Sequence, residues 1–259
     1  MVKSWLLIVI VIFSTFSFLV AQQETKPVRL LVMQDVVYPN KVDAYEKAQK
    51  EMNEFIKKNY PGVKWDCLQY DSYTYDYLVE LTNYSQIDEM NKMWADKMKT
   101  VNQDEFNKLA NNFIGTISAT NQMVVTMDKK GSYNSKNPYI KQSDAKFYHW
   151  DYFEFIPGKE DEAIAVAREE AALSEKLNLR GDFHLWRVSM GPNTNSIVYA
   201  SWDKDRVSFF TDMENDNKIA GKEMEELDKK FMSYVVKFDH WNGKAKPELS
   251  INAMDTAGK

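Results

Sequence analysis

Short runs of alternating apolar and polar residues are separated along this chain by segments with helical periodicity. The run from Val28 to Val37 is typical of a β-strand, and the segment after Pro39 spaces its apolar residues as a helix does. Two β-type runs, Val63 to Tyr70 and Tyr75 to Asn83, flank a short polar turn and predict a hairpin. Further helical spacing and a last strand from Gly115 to Met127 complete the order β-α-β-β-α-β.

The same order of elements recurs in the second part of the chain. An offset of 118 positions places residues 28–124 on residues 146–242 without a gap, and Pro39 then coincides with Pro157. Such self-similarity predicts two copies of one fold. The strands of the second copy are predicted at Lys146 to Ile156, Asp182 to Ser189, Ser196 to Trp202 and Ser233 to Trp241, and its helices at Lys159 to Leu177 and Asp205 to Phe231.

A β-α-β-β-α-β unit is ferredoxin-like, with both helices on one face of a sheet whose strands are ordered 4-1-3-2. The other face carries large aromatic residues such as Trp150 and Trp186, so we expect the two copies to pack sheet to sheet. Together with the strand-Pro-Gly-Lys-helix junction at Phe155 to Lys159, this organisation resembles the dimeric α+β barrel superfamily of antibiotic-biosynthesis-monooxygenase-like and NIPSNAP-like domains.

The resemblance implies an α+β fold in which two ferredoxin-like repeats form an intramolecular dimeric α+β barrel, a pseudo-dimer within one chain. It also implies a cavity between sheet and helices that holds a small organic ligand in some members. We place the repeats at residues 28–127 and 146–242. Composition predicts a linker at 128–145, rich in Lys, Ser, Asn and Gly, and a flexible tail at 243–259.

Residues 1–21 combine a basic start at Lys3 with an apolar run and a small residue, Ala21, at the end. This pattern predicts a secretory signal peptide, and the alternative is an uncleaved membrane anchor. We therefore expect an exported protein, periplasmic or extracellular, with no membrane span after cleavage.

The formal net charge is −5, which disfavours nucleic acid as a partner because an acidic surface repels phosphates. Cys67 is the only cysteine in the chain, so no internal disulfide can form. The sequence contains no Gly-rich phosphate loop, paired-cysteine knuckle, His-Glu-x-x-His or Gly-x-Ser-x-Gly motif. It therefore offers no support for the common kinase, hydrolase and metallopeptidase activities.

All three histidines of the chain, His149, His184 and His240, lie on predicted strands of the second copy, each within two residues of a tryptophan. They can be ligands or three unrelated structural histidines. The second and fourth strands of such a sheet lie three spacings, about 14 Å, apart, so His149 and His240 on neighbouring strands are the plausible pair. We predict no metal site, and haem stays open as a cofactor.

A concave aromatic site with a few polar groups favours a small apolar or aromatic ligand. The interpretation we favour is a non-catalytic ligand-binding protein. The alternatives are a cofactor-independent oxygenase or haem-modifying enzyme, and a structural or interaction domain. Some members of the superfamily oxidise aromatic substrates or degrade haem with an Asn, a Trp and a His, but the first strand of the second copy offers no matching Asn. The candidate pocket comprises His149, Trp150, His184, Trp186, Tyr199 and His240.

Overall fold

The structure, a computed structural model, describes residues 27–251. The strands are β1 Arg29–Val37, β2 Asp66–Tyr70, β3 Thr74–Leu81, β4 Ile117–Met127, β5 Phe147–Phe155, β6 Phe183–Met190, β7 Ser196–Asp203 and β8 Val235–Ala245. The α-helices are α1 Val42–Asn59, α2 Ser85–Met98, α3 Gln103–Asn111, α4 Glu160–Leu177 and α5 Arg206–Met232. The predicted signal peptide at residues 1–21 lies outside the described residues.

The eight strands close into one antiparallel barrel in the order β1-β3-β2-β8-β5-β7-β6-β4. Two seams join the halves edge to edge. At one, Leu68 of β2 pairs with Ala245 of β8, and at the other Met127 of β4 pairs with Trp186 of β6. The predicted α+β class and barrel are confirmed, and the sheet is continuous because both pairs of edges are hydrogen-bonded.

Strand register follows the offset of 118 in three of the four strand positions. The bulge between Val36 and Val37, where β1 pairs with β4, recurs between Glu154 and Phe155, where β5 pairs with β8. The third strands of the two halves, β3 and β7, depart from this offset. Leu30 pairs with Glu80, whereas Tyr148, its offset partner, pairs with Trp202, which lies 122 positions after Glu80. The prediction of an ungapped match was therefore wrong at β7, because nine residues lie between the last paired residues of the β6–β7 hairpin and five between those of the β2–β3 hairpin.

Alternate residues of each strand face the barrel interior or the helices, as the pleat requires. The interior is packed by side chains such as Val32, Trp150 and Val198. Two further cores lie between sheet and helices. In the first half this core is built around Tyr45 and Tyr75; in the second half it is built around Phe155, Ala163, Ala167, Leu185 and Ile197.

The segments predicted as linker and tail are both packed where the structure describes them. In the segment 128–145, Tyr133 bridges to Phe183 and its hydroxyl donates to the Leu179 carbonyl at 2.7 Å. The segment after 243 is not a flexible tail as far as Ile251, because it completes β8 and then bridges back to Trp65. Residues 252–259 lie outside the described part. Across residues 27–251, none of the helices combines the length and the apolarity that crossing a membrane requires.

Candidate functional site

The strand pleat divides the six candidate residues between opposite faces of the barrel wall. Trp150, His184 and Trp186 face the barrel interior, and the other three, His149, Tyr199 and His240, face the helices. The prediction of one pocket was therefore wrong. Neighbouring residues of a strand point to opposite sides, so a histidine and the tryptophan directly after it cannot line the same site.

The three helix-facing candidates surround Asp151, in the middle of β5. Asp151 lies opposite Tyr199 on β7 and opposite His240 on β8. Two positions earlier on β5, His149 lies opposite Asn242 of β8. Side chains at directly opposite positions lie about 5 Å apart, so these residues form one polar cluster on the outer face of β5 and β8.

The imidazole of His149 is held at both ring nitrogens. Its Nδ1 lies 2.8 Å from Oδ1 of Asn242, and its Nε2 lies 3.1 Å from Oδ1 of Asp151. His149 and Asn242 are buried, at 6% and 7% exposure, and the Asp151 side chain is 29% exposed. One carboxylate therefore connects a buried histidine to solvent.

This environment favours the protonated form of His149. Burial alone would lower its pKa, but the hydrogen bond to Asp151 and the charge of that carboxylate, together with the hydrogen bond that His149 donates to Asn242, outweigh burial and raise the pKa above its usual value. With two oxygens as acceptors, both ring nitrogens can donate only as imidazolium. The pair of Asp151 and His149 is thus arranged to exchange a proton.

An aromatic wall borders this polar cluster. From α5, the Phe209 ring lies 4.8 Å from that of His149 and the Phe210 ring 5.9 Å from it, and His240 stacks on His149 at 6.0 Å. Phe210 is 39% exposed and Phe238 is 46% exposed. The wall is therefore open to solvent, and it offers ring faces on which a flat molecule can stack.

The interior candidates are packed among other aromatic side chains. The His184 ring lies 4.8 Å from Trp202, and its Nε2 lies 3.1 Å from Oδ1 of Asn134. Burial lowers the pKa of His184 to about 4. The Trp150 ring meets Tyr70 edge-on at 5.5 Å. This packing gives His184 and Trp150 a structural role.

Tyr199 contacts a helix as well as the cluster. Its hydroxyl donates to Oε2 of Glu170 in α4 at 2.7 Å. Burial raises the pKa of Glu170 to about 7, although the hydrogen bond from Tyr199 acts in the opposite direction. The Glu170 carboxyl therefore holds its proton up to neutral pH.

The histidines do not fit an axial haem ligand within a pocket. Both nitrogens of His149 are bonded, His184 lies on the interior face, and His240 is exposed on β8. Across residues 27–251, no group of three or more His, Cys, Asp or Glu side chains is placed to hold a metal ion. Two surface depressions, of about 870 Å³ between α1 and α3 and about 370 Å³ beside α4, are lined by none of the six candidates.

Sequence reasoning missed Asn242, Phe209 and Phe210 as parts of the cluster. Asp151 is a charged residue within the otherwise largely apolar run of β5, and it contacts His149 at 3.1 Å. Asn242 could have been found from the repeat, because the offset of 118 places this amide on Val124 of the first half. A polar residue that replaces an apolar one at an equivalent buried position is the available signal.

No protein-family model matches the chain, and no curated protein matches it. Solved structures do match. A structure described as an anthrone oxidase-like protein is 10% identical, with a TM-score of 0.59 over 86% of this chain and 92% of its own. A putative monooxygenase from Lactobacillus acidophilus NCFM is 9% identical, with a TM-score of 0.50 over 85% of this chain and 94% of its own. A putative monooxygenase from Fusobacterium nucleatum is 16% identical, with a TM-score of 0.50 over 85% and 93%.

These neighbours contradict the interpretation of the chain as a non-catalytic binding protein, because all three are described as oxidase-like or monooxygenase proteins. At such low identities the likeness establishes the fold alone. The chain has the fold of the dimeric α+β barrel proteins, as the resemblance implies.

Proposed function

We propose that this chain is an oxygenase that acts on a flat aromatic substrate at the outer face of β5 and β8. The observation that carries the proposal is the buried pair of His149 and Asn242. The equivalent cross-strand pair in the first half is Leu31 and Val124, which belongs to an apolar core. Burying polar groups costs free energy that an apolar pair would not cost, so their presence favours a chemical role.

The chemistry available to the cluster is proton transfer next to an aromatic surface. Oδ1 of Asp151 is bonded to His149, and the side chain of Asp151 is 29% exposed, so a ligand can reach its carboxylate. Oδ2 would take a proton from an activated C–H group of a ring ketone such as an anthrone. The His149 imidazolium would stabilise the resulting anion.

The remaining steps need only dioxygen. The electron pair left on the substrate carbon reduces O₂ and forms the new C–O bond, and protonation followed by loss of water leaves a carbonyl. A CH₂ group and O₂ thus become C=O and H₂O. Phe210 and His240 would hold the substrate ring by stacking. The name of the anthrone oxidase-like neighbour supports the choice of this substrate class.

The test is oxygen uptake by the purified chain with anthrones and polycyclic phenols. A triple variant, His149→Leu with Asp151→Met and Asn242→Val, installs the residues found at the equivalent positions of the first half. We expect it to fold and to lose at least about 100-fold in rate, since acid-base groups contribute on that scale.

The matched control is His184→Phe, which changes a histidine on the opposite face and should leave oxygen uptake unchanged. Circular dichroism and urea unfolding check that each variant is folded. No uptake above the uncatalysed rate with any of these substrates, or full activity in the triple variant, would refute the proposal.

We also infer that the two halves are ferredoxin-like repeats that arose by duplication. The shared bulge and the equal seam registers support this origin, because independent sheets would not be expected to match in both.

The apolar run in residues 1–21 supports export to the periplasm or the extracellular space.

A further inference from the structure

We infer that two copies of this chain pair through the first half of β8. This strand has eleven residues, but only its last three, Gly243, Lys244 and Ala245, pair with β2. The final contact on that side is the hydrogen bond that the Asp71 amide donates to the Asn242 carbonyl at 2.9 Å. From Val235 to Trp241, the side of β8 away from β5 has no strand partner within residues 27–251.

The open edge presents backbone groups in a fixed order. Since these groups alternate in direction along a strand, and the Asn242 carbonyl points towards β2, the amides and carbonyls of Phe238 and His240 point to the open side, as far as the bulge at Val236. Unpaired edges of this kind template pairing with another strand.

The outer face of this edge is apolar. Val236 is 57% exposed and Phe238 is 46% exposed, and the Phe238 ring is fixed by stacking on Phe153 at 4.8 Å. The equivalent residues on β4, at the other open edge of the barrel, are Ser118, Thr120 and Gln122. Apolar residues at one edge and polar residues at its counterpart indicate that the β8 edge is covered by a partner.

The charges of this edge favour a second copy as the partner, because the ion pair that Lys237 and Asp239 form within one chain, at 2.7 Å, would be extended across the pairing. In an antiparallel pairing centred on Phe238, Lys237 lies opposite Asp239 of the other copy, and Val236 lies opposite His240. A register centred on Lys237 or on Asp239 would instead place two like charges opposite each other. Opposite charges at facing positions stabilise a sheet and like charges destabilise it, so of these three registers the charges favour the one centred on Phe238.

The pairing would cover the aromatic wall of the proposed site from its open side. Val236 and Phe238 of one copy would lie beside His240 and Phe238, respectively, of the other. The inference does not depend on the proposed activity, since it rests on the edge and its charges.

The test is the molar mass of the full chain by light scattering over a concentration series. We expect a dimer for the natural sequence. Lys237→Asp and Asp239→Lys, each alone, should raise the dissociation constant by at least about tenfold, because each makes like charges face each other. The double variant Lys237→Asp with Asp239→Lys should restore the dimer. Asn121→Asp, on the open edge of β4, is the matched control and should leave the dimer intact.

A natural sequence that stays monomeric throughout the series would overturn the inference, and so would a double variant no tighter than the single ones. Amide exchange at Phe238 and His240 gives a second measurement. Protection that grows with protein concentration supports pairing between copies. Protection that is independent of concentration would mean that another segment of the same chain covers the edge, which also overturns it.

Discussion

The outer faces of the two halves differ in chemistry although their strands share one register. Where the first half has Leu31 opposite Val124, the second half has His149 opposite Asn242, and Asp151 stands at the position of Met33. The first set belongs to an apolar core under the helices. The backbone therefore does not require polar residues here, and the fold alone does not account for the cluster in the second half.

The two halves agree in another respect. In each, a tyrosine of the third strand reaches a polar group on the first helix. Tyr77 meets the hydroxyl of Tyr45 at 2.7 Å, and Tyr199 donates to Glu170 at 2.7 Å. Both halves therefore keep a hydrogen bond between sheet and helix, although the residue on the helix differs. This is expected of a structural contact that different polar residues can make.

The largest effect on stability is expected when a histidine is introduced into the first half at the position equivalent to His149. Leu31→His would bury an imidazole next to Val124 without a polar partner, which should lower the free energy of unfolding by about 3 kcal/mol. Urea unfolding measures the change. Adding Val124→Asn supplies the partner that His149 has, and should recover about 1 kcal/mol. An unchanged stability in Leu31→His would mean that the first half accommodates a polar group at no cost. The polar residues of the second half would then need no chemical explanation.

A smaller effect concerns the buried carboxyl of Glu170, whose equivalent position in the first half is occupied by Met52. Burial raises the pKa of Glu170 to about 7, so the folded state holds its proton between pH 4.5 and 7 while the unfolded state releases it. Stability relative to Glu170→Gln should be greatest below pH 4.5 and fall by up to about 3 kcal/mol as pH rises to 7 and above.

Unfolding at several pH values measures this difference between the two proteins. Burial also raises the pKa of Asp76 to about 7, but this residue is present in both proteins, so its contribution cancels. A difference that does not change with pH would mean that Glu170 titrates normally.

The smallest effect is expected at the surface of β8. Val236→Ser installs the residue found at position 118 of the first half. Because Val236 is 57% exposed, the free energy of unfolding should change by less than about 0.5 kcal/mol in dilute, monomeric protein. Thermal unfolding at low concentration checks this. A large loss would place Val236 in the core of its own chain.

Much of the fold can be predicted from the local pattern of apolar residues, because a period of two residues indicates a strand and a period of 3.6 residues indicates a helix. The order of elements and the barrel were predictable in this way. The shift of β7 was not predictable. The residues Gly191 to Asn193 indicate a turn, but they do not indicate how many residues this connection adds relative to the first half. The prediction of the site was wrong because it did not take into account that successive side chains of a strand point to opposite faces. His149 and Trp150 were grouped by nearness in sequence, yet they face opposite sides of the wall.

The seams of the barrel have a consequence for how the chain reaches its native state. Leu68 and Ala245 pair although 177 positions separate them, so the barrel can close only after β8 has been made. Until then, a nascent chain exposes the edge of β2 to its surroundings. Contacts between such distant segments slow folding, and unprotected edges invite aggregation. The protein should therefore depend on chaperones during synthesis more than a barrel built from neighbouring hairpins would.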